Sequence, residues 1–117
     1  MKEVVDKLIK LNKTVSTMES CTGGFIASSI TDIEGASDVL KFSAVTYSDE
    51  YKIKMGVSKE IIDKYSVYSM EVARQMAYNI AVFSSSNYGI GITGKINRID
   101  KNNLSRSIIK IQYIGLR

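Results

Sequence analysis

A strand-to-helix turn near the start of the chain constrains the fold more than any other feature. Residues 14–17 are β-branched and polar, which predicts a short strand, and an apolar helical pattern begins at Phe25. Between them lie Ser20 and the pair Gly23-Gly24. At such a turn the first backbone N–H groups of the helix are unpaired, and the helix dipole favours negative charge. The segment therefore predicts an α/β unit with a serine hydroxyl at a turn that favours anions.

The rest of the chain alternates between helical and extended patterns. We predict helices over residues 2–11, 25–33 and 49–55, in a short segment after Ser58, and from Ser69 to the serine run at 84–86. We predict strands over residues 14–17, 39–47, 88–92 and 108–114, with a polar loop over 95–106. Gly89 and Gly91 would permit close backbone approach. No repeat, linker or second domain is visible, so the pattern indicates one α/β domain over residues 1–117, a three-layer α/β/α sandwich with a mixed or largely parallel sheet.

Composition limits the possible functions. The chain has no histidine and one cysteine, so we expect neither a disulfide framework nor a metal site. The net charge is +4, but the basic residues are scattered, so we expect no nucleic-acid partner. The first residues lack the apolar block of a signal peptide, and no run approaches membrane-spanning length. By elimination we expect a cytoplasmic protein with no membrane contact.

Ser20 has two possible roles. A serine in front of a helix commonly caps it, and from position alone capping is the favoured interpretation. The alternative is a nucleophile. Because the chain has no histidine, the base for that nucleophile would be another residue, and lysine is the leading candidate. The neighbouring Cys21 is interpreted as a buried small residue.

Two later strands end in residues that could face the same crevice. Tyr47 ends the predicted strand 39–47 and Lys52 follows in the next helical turn, while Thr93-Gly94 follows the strand predicted over 88–92. The carboxyl ends of strands in an α/β sheet face the ligand crevice, so these residues could converge with Ser20. A hydroxyl beside a glycine is suited to holding an anionic group. The alternatives are a half-buried tyrosine, a solvated lysine and an ordinary turn.

Five segments together resemble the CinA C-terminal domain family. In the family's order and approximate spacing, they are MESCTGG at 18–24, ITDIEGAS at 30–37, VTYSDEYK at 45–52, VARQMA at 72–77 and GITG at 91–94. The family includes nicotinamide-nucleotide amidases. The resemblance therefore implies hydrolysis of the carboxamide of nicotinamide mononucleotide to nicotinate mononucleotide and ammonia. It also implies a homodimer and a Ser-Tyr-Lys catalytic group at Ser20, Tyr47 and Lys52.

This resemblance leads to a specific mechanistic hypothesis. Ser20 attacks the amide carbonyl, a neutral Lys52 acts as base, and Tyr47 relays the proton or orients the pair. Backbone N–H groups near residues 21–24 stabilise the oxyanion, and no metal or organic cofactor is required. The residues expected to hold the substrate, including its phosphate, are Thr22, Gly23, Gly24, Thr93 and Gly94.

The chain also departs from the family's pattern. After Ile-Thr-Gly the family continues into an Ala-Gly-Pro run, whereas this chain has KINR at 95–98 and no proline. SVYS at 66–69 replaces a usual Gly-Ala-Val-Ser. We expect the domain to lack the further strand and long helix with which the family continues. These changes fall on the substrate side of the crevice. The alternative function is therefore a catalytically inactive nucleotide-binding or interaction module of the same fold.

Overall fold

The computed structural model describes residues 1–96 and 107–116. The elements in chain order are α1 (Lys2–Leu11), β1 (Val15–Glu19), α2 (Phe25–Thr31), a 3₁₀ helix (Ala36–Asp38), β2 (Leu40–Val45), α3 (Asp49–Lys54), α4 (Lys59–Tyr65), α5 (Met70–Ser84), β3 (Tyr88–Lys95) and β4 (Ile108–Gly115). Every predicted helix and strand is present, with ends that differ by a few residues. Most of the loop predicted over 95–106 lies outside the described residues.

The four strands form one mixed sheet in the order β2-β1-β3-β4. β1 pairs in parallel with both β2 and β3, and Met18 lies opposite Ala44 on one side and Gly91 on the other. β4 pairs antiparallel with β3 at the edge. Because β1, β2 and β3 run in the same direction, their carboxyl ends lie at one edge of the sheet. That edge carries the Ser20 turn.

Helices cover both faces of the sheet. One core cluster joins α1 and α2 to the strands through Val5, Val15, Ile30, Ala36 and Val39. The other cluster joins α4 and α5 to the opposite face through Met18, Val57, Ile62, Val72, Met76 and Ile80. β1 is buried along its whole length, as is expected of a strand covered on both faces. The prediction of a three-layer α/β/α sandwich is therefore confirmed.

Serine caps begin three of the helices. Ser48, Ser58 and Ser69 each accept a hydrogen bond from the backbone N–H three residues later, which satisfies one of the unpaired donors of the first turn. The cap at Ser48 matters most to the site, because it begins α3, the short helix that carries Lys52. A local sequence signal thus sets where that lysine enters the fold.

Two glycines let α5 pack directly on β3, and the close backbone approach predicted at both positions is confirmed. A Cβ atom at Gly91 would lie 2.2 Å from the carbonyl oxygen of Ala73, and one at Gly89 would lie 2.0 Å from that of Ala77. Any side chain at either position would push the helix off the strand. The contact sets the distance between β3 and the helical layer beside the site.

β3 is longer than predicted. The sequence predicted an end at Ile92, with Thr93 and Gly94 in the turn beyond it, but the strand continues to Lys95. Residues 93–95 continue the antiparallel pairing with residues 108–110 of β4. A partner distant in sequence therefore extends the strand, which local patterns cannot show. Thr93 and Gly94 lie inside the strand, and Lys95 is its last residue rather than the start of a loop.

Candidate active site

Ser20 and Lys52 meet at the carboxyl edge of the sheet. Ser20 follows the last residue of β1, and Lys52 lies in α3. Lys52 Nζ donates a hydrogen bond to Ser20 Oγ at 3.0 Å. Both side chains are buried, with 4% of Ser20 and 1% of Lys52 exposed. The N-cap of α2 is Gly24, so Ser20 is not the helix cap that its position alone favoured.

Two backbone carbonyls complete the surroundings of the Lys52 amine. Nζ donates to the carbonyl oxygen of Thr46 at 2.6 Å and to that of Tyr47 at 3.3 Å. Burial lowers the pKa of Lys52 below its ordinary value of 10.5, while the charge of Asp49 and that of Cys21 act in the opposite direction. Burial therefore favours the neutral amine, which is the form that can accept a proton from a serine hydroxyl.

Glu19, which the sequence analysis missed, is fully buried beside the same turn. Its Oε1 accepts from Thr22 Oγ1 at 2.7 Å and from the N–H of Ile26 at 3.0 Å. Its Oε2 accepts from the N–H of Ala27 at 2.9 Å and from Thr17 Oγ1 at 3.3 Å. The expectation of unpaired N–H groups open to an anion at this helix start is wrong, because the chain supplies its own carboxylate there.

A sequence signal for Glu19 did exist. An acidic residue just before a helix complements the positive end of the helix dipole. Its inward orientation, however, depends on which face of β1 the side chain takes, and a short polar strand does not reveal that.

A cleft of about 270 Å³ opens beside Ser20 and Lys52. Its walls are residues 20–21, residues 47–49 with Lys52, residues 67–68 and residues 93–96. The walls therefore come from the ends of all three parallel strands and from the loop between α4 and α5. The volume lies close to the lower end of the range of about 300–1,000 Å³ found for small-molecule sites.

Tyr47 lines this cleft at its solvent side, with 71% of the residue exposed. The contact that it makes with Lys52 is through its backbone carbonyl. The structure thus brings the three predicted catalytic residues to one cleft. It gives Ser20 and Lys52 a direct hydrogen bond and leaves Tyr47 largely exposed to solvent.

Two of the five residues predicted to hold substrate lie in the cleft wall. Thr93 Oγ1 donates to the carbonyl oxygen of Val67 at 2.8 Å, so this hydroxyl joins β3 to the α4–α5 loop. A Cβ atom at Gly94 would lie 2.0 Å from the carbonyl oxygen of Ile108, so this glycine permits the close pairing with β4. Thr93 and Gly94 therefore also have structural roles.

The other three residues predicted to hold substrate shape the turn into α2. Gly23 and Gly24 adopt positive φ values of 62° and 102°, and the Thr22 hydroxyl donates to Glu19. These residues are not among those that line the cleft. The turn therefore brings Ser20 and Cys21 to the cleft, while its later residues lead away into the helix.

Comparison with known proteins assigns the family. The family model for the CinA C-terminal domain matches residues 1–97 of the chain. This chain belongs to the CinA C-terminal domain family. The membership indicated by the sequence motifs is therefore confirmed.

Bacterial relatives match this CinA domain along most of its length. A protein of Clostridium perfringens (strain SM101 / Type A), named as a competence-damage inducible protein, is 48% identical over 96 residues. A protein of the same name from Caldanaerobacter subterraneus subsp. tengcongensis is 46% identical over 96 residues. Each match covers 80% of this chain and 23% of the relative, so the chain spans about a quarter of the length of these curated relatives.

Solved structures show the same CinA fold. The crystal structure of a competence/damage inducible protein from Agrobacterium tumefaciens has a TM-score of 0.82 at 27% identity, covering 97% of this chain and 76% of that one. A CinA superfamily protein from Escherichia coli has a TM-score of 0.86 at 24% identity, covering 99% and 74% of the two chains. The similarity to the Escherichia coli protein shows a shared fold only.

Cys21 differs from its predicted description. It is only half-buried and lines the cleft of this CinA domain next to Ser20. Burial raises the pKa of the Cys21 thiol, while the backbone of Cys21 and Thr22 and the charge of Lys52 act in the opposite direction. Within residues 1–96 and 107–116, no group of three or more His, Cys, Asp or Glu residues could hold a metal ion. No helix in that part of the chain is long and apolar enough to cross a membrane.

Proposed function

We propose that this CinA domain hydrolyses the carboxamide of nicotinamide mononucleotide, with Ser20 as nucleophile and Lys52 as its base. The observation that carries the proposal is the 3.0 Å hydrogen bond between Lys52 Nζ and Ser20 Oγ at the wall of the cleft. The substrate is the one that the resemblance to the family implies. The products would be nicotinate mononucleotide and ammonia.

The surroundings of Lys52 favour proton transfer from Ser20. The carbonyl oxygens of Thr46 and Tyr47 can only accept hydrogen bonds. A neutral lysine keeps two N–H groups and one lone pair. In this neutral form the two N–H groups satisfy the two carbonyls, and the hydrogen bond to Ser20 reverses: the Ser20 hydroxyl donates to the Nζ lone pair. The site thus orients the base without a histidine.

Acyl transfer then follows from this geometry. As Ser20 Oγ bonds to the amide carbon, its proton passes to Lys52 Nζ and negative charge develops on the carbonyl oxygen. The backbone N–H groups of Cys21 and Thr22 directly follow Ser20 in the turn beside the cleft. We assign them the stabilisation of the oxyanion.

Collapse of the intermediate needs an acid for the leaving group. The Lys52 ammonium donates its proton to the departing nitrogen, so ammonia leaves and an acyl ester remains on Ser20. A water molecule then attacks the ester carbon, with Lys52 again accepting a proton, and Ser20 is regenerated. Tyr47 orients Lys52 through its carbonyl, and we assign its phenol a place beside the substrate at the cleft mouth.

Ammonia release from nicotinamide mononucleotide tests the proposal. The purified chain should release ammonia, and Ser20→Ala and Lys52→Ala should each reduce the rate by at least about 100-fold. Ser29→Ala and Lys54→Met change residues of the same types outside the cleft wall and should leave the rate unchanged. Wild-type turnover in Ser20→Ala or Lys52→Ala would overturn the assignment.

One observation favours the second candidate, a nucleotide-binding or interaction module without turnover. The Thr93 hydroxyl is engaged by Val67, and the space beside Gly94 is filled by β4, although both positions were expected to hold substrate. A rise in melting temperature with nicotinamide mononucleotide, without ammonia release, would support this module.

The homodimer implied by the family remains a prediction, as does a cytoplasmic location. Exposed apolar side chains on β4, those of Ile109, Ile111 and Tyr113, offer a surface on which a second copy could pack. Sedimentation equilibrium would measure the oligomeric state. A monomer at all concentrations would contradict the prediction.

A further inference from the structure

Lys95 is a second buried cation in the wall of the cleft. Only 3% of the residue is exposed, and its Nζ lies 5.6 Å from the centroid of the Tyr68 ring. Both residues line the cleft that contains Ser20 and Lys52. We propose that Lys95 binds the phosphate group of the nucleotide substrate and makes the cleft selective for the nucleotide over its nucleoside. This inference rests on the proposed function of the same site.

The charges of the cleft single out Lys95 for this role. In the described part of the wall, the cationic side chains are Lys52 and Lys95. Burial favours the neutral form of the Lys52 amine by lowering its pKa, as its proposed role as a base requires. Among these described residues, the positive charge for an anionic ligand therefore comes from Lys95.

Two carboxylates exclude a phosphate from the other parts of the site. Glu19 occupies the start of α2 by accepting hydrogen bonds from the N–H groups of Ile26 and Ala27. Asp49 lines the cleft close enough to Lys52 to oppose the lowering of its pKa. A phosphate near either carboxylate would be repelled. The carboxamide therefore lies at Ser20 and the phosphate at Lys95.

The wall around Lys95 is held in place by β3. Thr93 Oγ1 donates to the carbonyl oxygen of Val67, which ties the loop that carries Tyr68 to the strand that carries Lys95. Ser66, at the start of that loop, has a φ of 80°, a value that non-glycine residues rarely adopt. The loop with the aromatic ring and the strand with the ammonium group are thus joined beside the cleft. A lysine ammonium is a point charge that can bind a phosphoryl group from several directions.

Binding to a Ser20→Ala background tests the proposal without turnover. Calorimetry would compare nicotinamide mononucleotide with nicotinamide riboside, which lacks the phosphate. A charged hydrogen bond contributes about 1.5–3 kcal/mol, so the nucleotide should bind about 10- to 100-fold more tightly. Adding Lys95→Met should reduce this ratio to about threefold or less by weakening the nucleotide alone. Lys95→Arg should keep the preference.

Matched variants separate this role from a structural one. Lys54→Met also removes a lysine beside a tyrosine ring, with Nζ 4.8 Å from the Tyr51 centroid, but outside the cleft wall, and it should leave the ratio unchanged. Lys95→Gln is a second neutral variant if Lys95→Met does not fold. An unchanged ratio, equal weakening of both ligands, no preference in the starting protein, or failure of both neutral variants to fold would each overturn the proposal.

The binding experiment also separates this proposal from the proposed function. If the chain with Ser20 intact releases no ammonia but the Lys95-dependent preference is present, the amidase assignment fails and the phosphate site stands. If ammonia is released equally from nucleotide and riboside, with the same KM, the amidase stands and the phosphate site fails. In an active enzyme, Lys95→Met should raise KM for the nucleotide and leave kcat/KM for the riboside unchanged.

Discussion

Glu19 and Lys52 are two ionisable side chains buried to the same depth on either side of the Ser20 turn, yet their surroundings are opposite. Glu19 is 0% exposed and Lys52 is 1% exposed. The Glu19 carboxylate accepts four hydrogen bonds from backbone N–H groups and threonine hydroxyls. The Lys52 amine contacts one hydroxyl and two carbonyls, and within residues 1–96 and 107–116 it has no carboxylate partner.

The difference separates a structural group from the group that we propose to be reactive. The four donors that face Glu19 stabilise its charge, so the carboxylate closes the helix start and holds the turn in place. The oxygens around Lys52 do not compensate fully for its lost hydration, because burial still lowers its pKa. An amine in this condition can exchange a proton with Ser20. Burial alone therefore does not mark the active group, whereas the kind of hydrogen-bond partner does.

The largest expected effect is the loss of catalytic activity when Lys52 is replaced. Lys52→Met should reduce ammonia release by about 10²- to 10⁴-fold, because the base is lost. The melting temperature should stay the same or rise, since a methionine of similar shape needs no hydration at this buried position. Lys54→Met on the same helix is the control and should change neither quantity. Loss of activity together with unfolding would instead give Lys52 a structural role.

The next largest effect is on stability at the Glu19 side. Glu19→Gln should lower the free energy of unfolding by about 2–4 kcal/mol, because the amide nitrogen cannot accept the N–H bonds at the start of α2. Urea denaturation would measure the change. Glu50→Gln, which breaks an exposed ion pair with Lys54, should cost less than about 1 kcal/mol. Equal effects of the two variants would show that Glu19 is not the group that holds the turn.

The pH dependence of activity should follow Lys52. Because burial lowers its pKa below 10.5, activity should rise with pH as the amine loses its proton and level off below pH 10.5. Below the apparent pKa the rate should change by about tenfold per pH unit. A rate that falls as pH rises toward 10.5 would contradict a lysine base.

The pH dependence of stability provides the same test without substrate. Between the lowered pKa of Lys52 and 10.5, the folded chain binds fewer protons than the unfolded chain. Stability from this group therefore increases as pH rises through that interval, and the cost of its burial is fully present below it. Urea denaturation at several pH values would give the free energy of unfolding of the wild type and of Lys52→Met. The wild-type value minus the Lys52→Met value should increase with pH over that interval. A flat difference would contradict the lowered pKa.

The smallest expected effects are changes in stability when Thr17 or Thr46 is replaced. Thr17 Oγ1 donates to Glu19 and lies 2.7 Å from Ser43 Oγ, whereas Thr46 Oγ1 is buried without a hydrogen-bond partner among the described residues. Thr17→Val should lower the free energy of unfolding by about 1 kcal/mol, and Thr46→Val should leave it unchanged or raise it by about 1 kcal/mol. Thermal denaturation would measure both. If both substitutions change the free energy of unfolding in the same direction, the Glu19 and Lys52 sides do not differ in how fully their buried polar groups are hydrogen-bonded.

Much of the architecture follows from local sequence patterns. Apolar residues at helical spacing marked α1 and α5, alternating residues marked β4, and serine caps marked the starts of α4 and α5. These signals arise within one turn or a few residues, so they are readable before the chain folds. The motifs likewise determined the family and put Ser20, Tyr47 and Lys52 forward as candidates.

The tertiary structure decided what those local patterns could not. Ser20 and Lys52 are 32 positions apart, and their hydrogen bond exists because β1 and β2 run in parallel to one edge. Pairing with β4 extended β3 through Thr93 and carried Lys95 into the cleft wall. The burial of the Glu19 side chain depends on the register of β1 in the sheet. Each outcome depends on a partner distant in sequence, because burial and pairing are properties of the assembled sheet rather than of any one segment.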